Sequence, residues 1–249
     1  MIRKIKKVFD IFFKYFCLYI HFAPRKNNGE LVYLRSFPEA TYAPWFQDIF
    51  FYDTYTKIKK YSLKDIYRLY ELYSLATQAC NYGGSFVEIG AWRGGSAAII
   101  ASAKKKMLNS NDFYLCDTFE GVVKASFIDN FYNNGEHNDT DLNYVNKVFD
   151  KLNLMLPKVL TGIFPDDTGN EVSDNVSFLH IDVDTYQSAK DIFNFCQNKF
   201  TDKAVIIFDD YGFFETNGIT ILCNELKNKK NMTFIHNLNG HGIFLWNKV

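Results

Sequence analysis

Two apolar segments of the sequence, which begin at Phe178 and at Ala204, each end at closely spaced aspartates. These aspartates are Asp182 and Asp184 after the first segment, and Asp209 and Asp210 after the second. Apolar runs of this length are typical of strands that are buried on both faces of a parallel sheet. If the two strands are neighbours, about 4.8 Å apart, the four carboxylates share the sheet edge at which open α/β folds bind their ligands.

Four carboxylates at such short range repel one another and raise one another's pKa unless a cation lies among them. The cluster therefore indicates a hard divalent metal ion with oxygen ligands. A structural role is the alternative, because Asp184 can cap a helix that begins near Thr185 and Asp210 can begin a turn. The occurrence of both pairs at the ends of consecutive buried strands favours a functional site.

A glycine-rich turn lies in the segment Phe86–Ser96, after the first strand of an alternating region. Gly90 allows a sharp turn, and Gly94 and Gly95 allow a ligand to approach the N-terminus of the next helix. Glu88 would repel a pyrophosphate, but its charge suits the ammonium or sulfonium group of S-adenosylmethionine. The turn therefore indicates a cofactor site of the adenosyl-sulfonium type.

A second acidic residue, Asp117, ends the next predicted strand, where an acid can bind the ribose hydroxyls of an adenosyl cofactor. The structural alternatives are a strand-end cap for Glu88 and an Asx turn for Asp117. Their spacing within one strand–helix–strand unit favours the cofactor interpretation. A nicotinamide-dependent oxidoreductase is a rival, but the glycine pattern that binds pyrophosphate is missing from this turn.

The elements that must position these residues alternate between strand and helix. The sequence predicts strands at Ser85–Ile89, Phe113–Cys116, Lys158–Thr161, Val176–Asp182 and Ala204–Phe208, and helices at Ser62–Cys80, Gly95–Met107, Asn143–Leu152, Thr185–Lys199 and Gly218–Lys229. Met232–His236 and Ile243–Trp246 flank an Asn-Gly turn signal and predict a terminal hairpin. This pattern predicts an α/β fold with a doubly wound, mostly parallel sheet and one antiparallel strand. The long connection 118–141 is typical of a functional lid.

Residues 1–60 are predicted to be a separate N-terminal part, and residues 61–249 the α/β domain. Residues 1–23 start with basic residues and continue with an aromatic run that Asp10 and Lys14 interrupt, which argues against a signal peptide and a spanning helix. We expect an amphipathic helix on a membrane surface, on a partner subunit or on its own domain. Residues 30–60 are expected to form an irregular aromatic cover, because Pro38 and Pro44 prevent a long helix.

Charge and cysteine content exclude some classes of partner and location. Basic and acidic residues number 28 each, so no overall positive charge points to nucleic acid. The five cysteines are scattered without the spacing of a metal site, which is typical of reduced thiols in the cytoplasm.

The histidines carry weaker signals than the aspartates. His180 lies inside a predicted strand and is expected to be packed and hydrogen-bonded, whereas His137 lies in the lid and could contact substrate or metal. His236 and His241 flank the terminal hairpin and are expected at the surface.

Five motifs occur in the order VEIGAWRGGS, CDTFEG, TGIFPDD, LHIDVDTYQS and IIFDDYG. Together they resemble the TylF/macrocin-type O-methyltransferases, metal-dependent enzymes that methylate sugar hydroxyls of antibiotics. The resemblance runs from about residue 85 to the C-terminus. It implies a class I methyltransferase fold with a Rossmann-like, seven-stranded sheet, with S-adenosylmethionine and Mg²⁺ or another divalent cation as cofactors. It also implies a sugar-containing acceptor, and we expect a homo-oligomer.

The resemblance assigns roles to individual residues. The metal ligands would be Asp182, Asp209 and Asp210, with Asp184 as the general base, and the cofactor would contact Glu88, Gly90, Arg93, Gly95, Ser96, Asp117, Thr118 and Phe119. Arg93 could bind the cofactor carboxylate or the substrate, or it could form a salt bridge at the rim. A degenerate methyltransferase that only binds partners is a second rival, although the intact acidic set argues against it.

Overall fold

The computed structural model describes residues 40–129 and 131–248, together with Val8 and Phe12. The chain divides into two compact units, Met1–Tyr42 and Ala43–Val249. The strands of the second unit, from β1 to β7, are Ser85–Ile89, Phe113–Asp117, Lys158–Thr161, Val176–Ile181, Phe200–Phe208, Met232–Ile235 and Gly242–Asn247. Its α-helices, from α1 to α6, are Ile49–Ile58, Ile66–Ala79, Gly95–Lys106, Leu142–Leu152, Tyr186–Cys196 and Asn217–Leu226.

The strands form one sheet in the order β3-β2-β1-β4-β5-β7-β6. The neighbours from β3 to β5 run parallel, and β7 lies antiparallel between β5 and β6. The predicted doubly wound, mostly parallel sheet of seven strands with an antiparallel strand near the C-terminus is confirmed.

The central strands β1 and β4 are buried along their whole length. Phe86 and Phe178 face the core layer that α1, α2, α3 and α4 form, whereas Val87 and Leu179 face the layer of α5 and α6. Because successive side chains of a strand point to opposite faces, both faces need apolar residues. Burial on both faces explains why these strands read as uninterrupted apolar runs.

Two helices differ from the predictions at their N-terminal ends by more than one residue. Residues 49–58, which were expected to be irregular, form α1, because Pro44 precedes the helix and the carboxylate of Asp48 caps it by accepting from Phe51 N at 3.0 Å. Helix α2 begins at Ile66 and not at Ser62, because Asp65 is the residue that caps it. Both differences arise from an aspartate cap.

Two predictions for the N-terminal part are not tested by this fold, the division of the chain at residue 60 and the amphipathic helix of residues 1–23. Residues 43–61 belong to the same compact unit as the sheet, and the division of the chain at residue 60 stays a prediction. The predicted amphipathic helix of residues 1–23 lies outside the described residues, apart from Val8 and Phe12, which are helical and exposed. Within the described ranges, no helix has the length and apolar character that crossing a bilayer requires.

Candidate active site

The aspartates of the predicted cluster meet at one edge of the sheet. Because β4 and β5 are parallel neighbours with Ile181 opposite Phe208, Asp182 and Asp209 leave the sheet side by side. Ligand atoms of Asp182, Asp209 and Asp210 all lie within 4.8 Å of one another. The structure therefore brings together the three residues that the resemblance proposes as metal ligands.

Asp184 lies beside this group and lines the same cavity. It does not cap α5, because the backbone N–H of Tyr186 donates to Asp129 Oδ1 at 2.9 Å. The hydroxyl of Tyr132 donates a hydrogen bond to Asp184 instead. The carboxylate lines the cavity, and its predicted role as the general base stays a prediction.

Two buried cations reach into the aspartate cluster, Lys64 from the chain just before α2 and Arg68 from its first turn. Lys64 Nζ forms ion pairs with Asp182 and with Asp209, the latter at 3.1 Å. Arg68 Nη1 lies 3.0 Å from Asp209 Oδ1 and 3.2 Å from Asp210 Oδ1. Sequence reasoning missed both cations, since the partners lie 118 and 141 residues further along the chain and no local pattern signals such a pairing.

His241 also belongs to the cluster, and the prediction that it lies at the surface is wrong. The residue is fully buried, with Nδ1 at 2.7 Å from Glu71 Oε2 and Nε2 at 3.3 Å from Asp209 Oδ1. The insertion of β7 beside β5 carries this residue to the functional edge of the sheet. Burial alone would lower the pKa of His241, but the two carboxylates raise it above its ordinary value.

The other predicted histidine positions agree with the structure. His236 is exposed, as expected for a residue next to the hairpin turn. His180 is buried inside β4 and shares a hydrogen bond of 2.8 Å between its Nδ1 and Glu88 Oε1.

The surroundings shift the pKa values of the three aspartates in different directions. Burial raises the pKa of Asp182 to about 8, and burial together with neighbouring carboxylates raises that of Asp210 well above its usual range. For Asp209 the effect of burial is overcome, because Lys64 and Arg68 hold its pKa well below the usual range. A carboxyl group with a raised pKa holds a proton on an oxygen that could instead bind a cation. The oxygen donors of this cluster therefore fit a divalent ion such as Mg²⁺.

A cavity of 320 Å³ extends from the aspartates to the glycine-rich turn. The predicted cofactor residues that line it are Gly90, Ser96, Asp117 and Thr118. Gly90 has φ 94°, and a Cβ at this position would lie 1.7 Å from the carbonyl oxygen of Asp182. Only glycine therefore lets the turn pass so close to the strand that carries the aspartates. Small-molecule sites begin at about 300 Å³, so the cavity is large enough for a ligand.

Asp117 holds the glycine-rich turn through its carboxylate. Its Oδ2 accepts hydrogen bonds from the backbone N–H groups of Ala91 and Trp92, and its Oδ1 accepts one from Phe119 N at 2.7 Å. Burial raises the pKa of Asp117, although these three N–H groups act in the opposite direction. An ionised carboxylate has about four acceptor positions, so one remains for a ribose hydroxyl.

The remaining predicted cofactor residues lie outside the cavity wall; they are Glu88, Arg93, Gly95 and Phe119. Glu88 lies inside β1, two residues before the turn, and its carboxylate is directed at His180. A Cβ on Gly95 would lie 2.3 Å from the carbonyl oxygen of Tyr61, so this glycine makes room for the protein chain, and its predicted contact with a cofactor stays a prediction.

Arg93 forms the rim salt bridge that was one of its predicted alternatives. Its Nη2 lies 2.5 Å from Asp139 Oδ2, and its guanidinium stacks on Trp92 and Tyr144 at 4.4 and 4.7 Å from the ring centres. Arg93 therefore ties the glycine-rich turn to the end of the long connection.

The described residues of the long connection, 118–129 and 131–141, contribute to the cavity wall and are called the lid. The lid contributes Tyr132 and His137 to the cavity wall, and the predicted contact of His137 with a substrate or metal stays a prediction. The lid is attached to α5, because Thr185 Oγ1 and Ser188 Oγ donate to the carbonyl oxygen of Val123 at 3.0 and 2.9 Å.

Comparison with known proteins places this site in a family. The family model of macrocin-O-methyltransferase (TylF) matches residues 55–248. The solved O-methyltransferase NovP is 19% identical, with a TM-score of 0.65 over 76% of this chain and 83% of NovP. Calicheamicin methyltransferase CalS11 is 13% identical, with a TM-score of 0.61 over 86% of this chain and 100% of CalS11.

A third structure, an O-methyltransferase from Bacillus cereus in complex with SAH, is 16% identical, with a TM-score of 0.51 over 80% of this chain and 89% of that one. None of the curated proteins compared with this chain matches it. The structural likenesses confirm the class I methyltransferase fold, and the family model covers most of the chain. The chain therefore belongs to the macrocin-O-methyltransferase family and is an O-methyltransferase.

Proposed function

We propose that the chain is an S-adenosylmethionine-dependent and divalent-metal-dependent O-methyltransferase that acts on a sugar hydroxyl of a glycan, a glycolipid or a glycosylated natural product. The observation that carries this proposal is that the aspartate cluster and the turn held by Asp117 open onto one cavity. CalS11, described as a TDP-rhamnose 3'-O-methyltransferase, supports a sugar acceptor, and the SAH complex of the Bacillus cereus enzyme supports the cofactor.

The cofactor would lie against the glycine-rich turn. Asp117 would accept a hydrogen bond from a ribose hydroxyl, and the backbone of Gly90 lines the cavity beside it. Ser96 and Thr118 line the same cavity and add hydroxyl groups that can donate to the cofactor. A site on the sheet edge would hold the cofactor and the acceptor next to each other. Their fixed orientation would then contribute to the rate of methyl transfer.

The acceptor hydroxyl would lie at the aspartate cluster. Asp182, Asp209 and Asp210 would hold the divalent ion, which when bound supplies Lewis-acid chemistry that lowers the pKa of a hydroxyl. Asp184 would accept the hydroxyl proton on a carboxylate oxygen while the acceptor oxygen bonds to the methyl carbon. The carbon–sulfur bond breaks, and its electron pair stays on sulfur, so the leaving group needs no acid.

Transfer of a labelled methyl group from S-adenosylmethionine to a panel of glycosides and nucleotide sugars, with and without EDTA, tests the proposal. We expect transfer to one acceptor class, its loss on chelation and its recovery with Mg²⁺. Asp209→Asn should lower metal affinity and turnover together. Asp202→Asn, on the same strand with an 88% exposed side chain, is the matched control and should behave as the wild type. Full transfer under chelation would show that the aspartates act without a metal.

Calorimetry with S-adenosylhomocysteine separates the cofactor part of the proposal from the metal part. We expect binding by the wild type and a loss of affinity in Asp117→Ala, since a charge-assisted hydrogen bond contributes about 1.5–3 kcal/mol. If Asp117→Ala bound S-adenosylhomocysteine within about twofold of the wild-type affinity, the expected loss would be absent and the cofactor would bind elsewhere.

A further inference from the structure

We propose that Lys64 is a built-in competitor for the metal: its ammonium group occupies the gap between Asp182 and Asp209 and must leave before a divalent ion can bind both carboxylates. This inference rests on the proposed metal dependence and adds to it a residue that sets the metal affinity. The evidence is the position of the lysine, its burial and the segment that carries it.

Lys64 Nζ lies between two carboxylates, where a metal ion bound by both of them would lie. The group pairs with Asp182 Oδ2 and lies 3.1 Å from Asp209 Oδ2, so it bridges two of the three candidate metal ligands. Mg²⁺ binds its oxygen ligands at about 2.1 Å, so an ion bound to the same two oxygens would overlap the space of the ammonium group. The two cations therefore exclude one another.

The burial of Lys64 makes this occupancy specific. Its side chain is 8% exposed, and its ammonium group is enclosed with the carboxylates of Asp182 and Asp209, whose side chains are 19% and 3% exposed. A lysine on a solvated surface would exchange freely with water and would compete little with an ion. In this site the ammonium group must be transferred from two carboxylates to solvent when the ion enters.

The segment that carries Lys64 allows it to leave. Lys64 lies in the irregular stretch 62–65, between the short helical turn Lys59–Tyr61 and α2, so its displacement breaks no helical hydrogen bond. Arg68, by contrast, belongs to the first turn of α2, bonds Asp65 through Nε at 3.1 Å and stacks on Phe213 at 4.9 Å. Lys64 is therefore the exchangeable cation of the pair and Arg68 the fixed one.

Binding of Mn²⁺, followed by electron paramagnetic resonance, tests this competition without the methyl-transfer reaction. Lys64→Met keeps the length of the side chain and removes its charge, and we expect it to bind Mn²⁺ about 5- to 150-fold more tightly, the range of an ordinary coupling between two ligands. Lys64→Arg retains a competing cation, so its affinity for Mn²⁺ should stay close to that of the wild type. Lys57→Met, at an exposed lysine of α1, is the control and should match the wild type.

The outcomes distinguish this inference from the proposed function. Equal Mn²⁺ affinity in the wild type and Lys64→Met, with loss in Asp209→Asn, would overturn the role of Lys64 and leave the metal site intact. Absence of Mn²⁺ binding in every variant would overturn both.

A second measurement uses the wild-type chain and does not depend on how well the variants fold. Amine acylation read by mass spectrometry should modify Lys64 slowly in the metal-free protein and several-fold faster at saturating Mg²⁺, while Lys57 is unaffected. Unchanged acylation of Lys64 when the ion is bound would show that the ammonium group does not leave.

Discussion

The aspartates at the sheet edge are chemically alike in sequence but differ in their neighbours. Asp209 is contacted by Lys64, Arg68 and His241, which hold its carboxylate ionised. Asp184 is contacted by the neutral hydroxyl of Tyr132. A carboxylate that Lys64 and Arg68 stabilise is a poor base, whereas Asp184 lines the cavity beside a hydroxyl group. The neighbours therefore support ligation for Asp209 and proton transfer for Asp184.

The role of Asp184 leads to a prediction for Asp184→Asn. Turnover should fall about 10²- to 10⁴-fold, the usual contribution of a general base, and should partly recover at higher pH because hydroxide can replace the base. The residue has φ 61°, a conformation that asparagine adopts as readily as aspartate, so the substitution should not strain the chain. Steady-state kinetics over a range of pH measures the effect.

Ligand binding provides the control for this variant. Affinities for Mn²⁺ and S-adenosylhomocysteine should stay close to those of the wild type. Turnover within about threefold of the wild type, far from the loss expected of a missing base, would assign proton transfer to another group.

The sequence predicted the site residues that end a strand of the sheet. It did not predict the residues that reach the site from a helix or loop packed on the sheet. The positions of Asp182 and Asp209 follow from strand pairing. Each residue ends an apolar run that forms a strand, and the end of such a strand lies at the sheet edge. Lys64 and Arg68 look in sequence like the polar face of an amphipathic helix. Their burial depends on how α2 packs on the sheet, and the sequence carries no signal of that packing.

At the scale of elements, the lid and α5 are joined by a cap that the lid provides. Asp129 is 3% exposed, and its carboxylate accepts hydrogen bonds from Tyr186 N at 2.9 Å and from Ser126 N at 3.1 Å. Because Thr185, the residue before the helix, makes no side-chain cap of its own, α5 depends on the lid for this bond. Movement of the lid is thus linked to the element that follows Asp184.

Asp129→Ala should loosen the lid and lower the melting temperature. Loss of an N-terminal cap costs about 1 kcal/mol, and the lid loses its attachment at the same time. Hydrogen exchange should become faster in residues 122–136 and in the first turn of α5, and the KM for the acceptor should rise.

Asp150→Ala, at an exposed position of α4, is the control for this prediction. If Asp129→Ala changed hydrogen exchange in the lid but not in the first turn of α5, or the reverse, the cap would not couple the two elements.

Elements with a complete periodic pattern were predicted to within a few residues, whereas α1 and the position of β7 were not. Two prolines near α1 suggested irregular chain, but Pro44 precedes the helix, where proline is tolerated. The hairpin of β6 and β7 was recognised from its Asn-Gly turn, yet a turn does not specify which strand of a hairpin pairs with the sheet. The burial of His241 follows from that pairing, which explains why its position was predicted wrongly.

At the scale of the whole molecule, one buried lysine makes stability depend on pH. Lys104 is 5% exposed, donates to Asn111 O at 2.7 Å and lies 4.3 Å from the ring centre of Phe86. Burial lowers its pKa from 10.5 to about 8. Between these two values the unfolded chain binds the proton and the folded chain does not, so the free energy of unfolding rises with pH in this window.

Lys104→Met should remove this rise, which amounts to about 3 kcal/mol between pH 8 and 10.5 for a shift of this size. Urea unfolding of the wild type and the variant at a series of pH values measures the difference, because other titrating groups contribute equally to both. Parallel stability curves would show that Lys104 titrates normally in the folded chain.

The division of the chain into two compact units predicts that the second unit folds without the first. Deletion of residues 1–42 should leave the melting temperature within a few degrees of the full chain and preserve S-adenosylhomocysteine binding. If residues 1–23 form the predicted interfacial or intersubunit helix, the deletion should reduce liposome binding or the mass in sedimentation. Unchanged liposome binding and mass would rule out both of these roles.

The interior position of β7 has a consequence for biosynthesis. A ribosome releases β5 before β7, so the nascent chain carries an open, apolar strand edge at Ala204–Phe208 until the later strand pairs with it. Such edges pair with other chains, and incompletely folded chains of this kind aggregate. The same delay leaves Asp209 without His241 during synthesis. Translation must therefore proceed past β7 before the aspartate cluster is complete, and we expect a chaperone that shields the edge of β5 to raise the yield of folded protein.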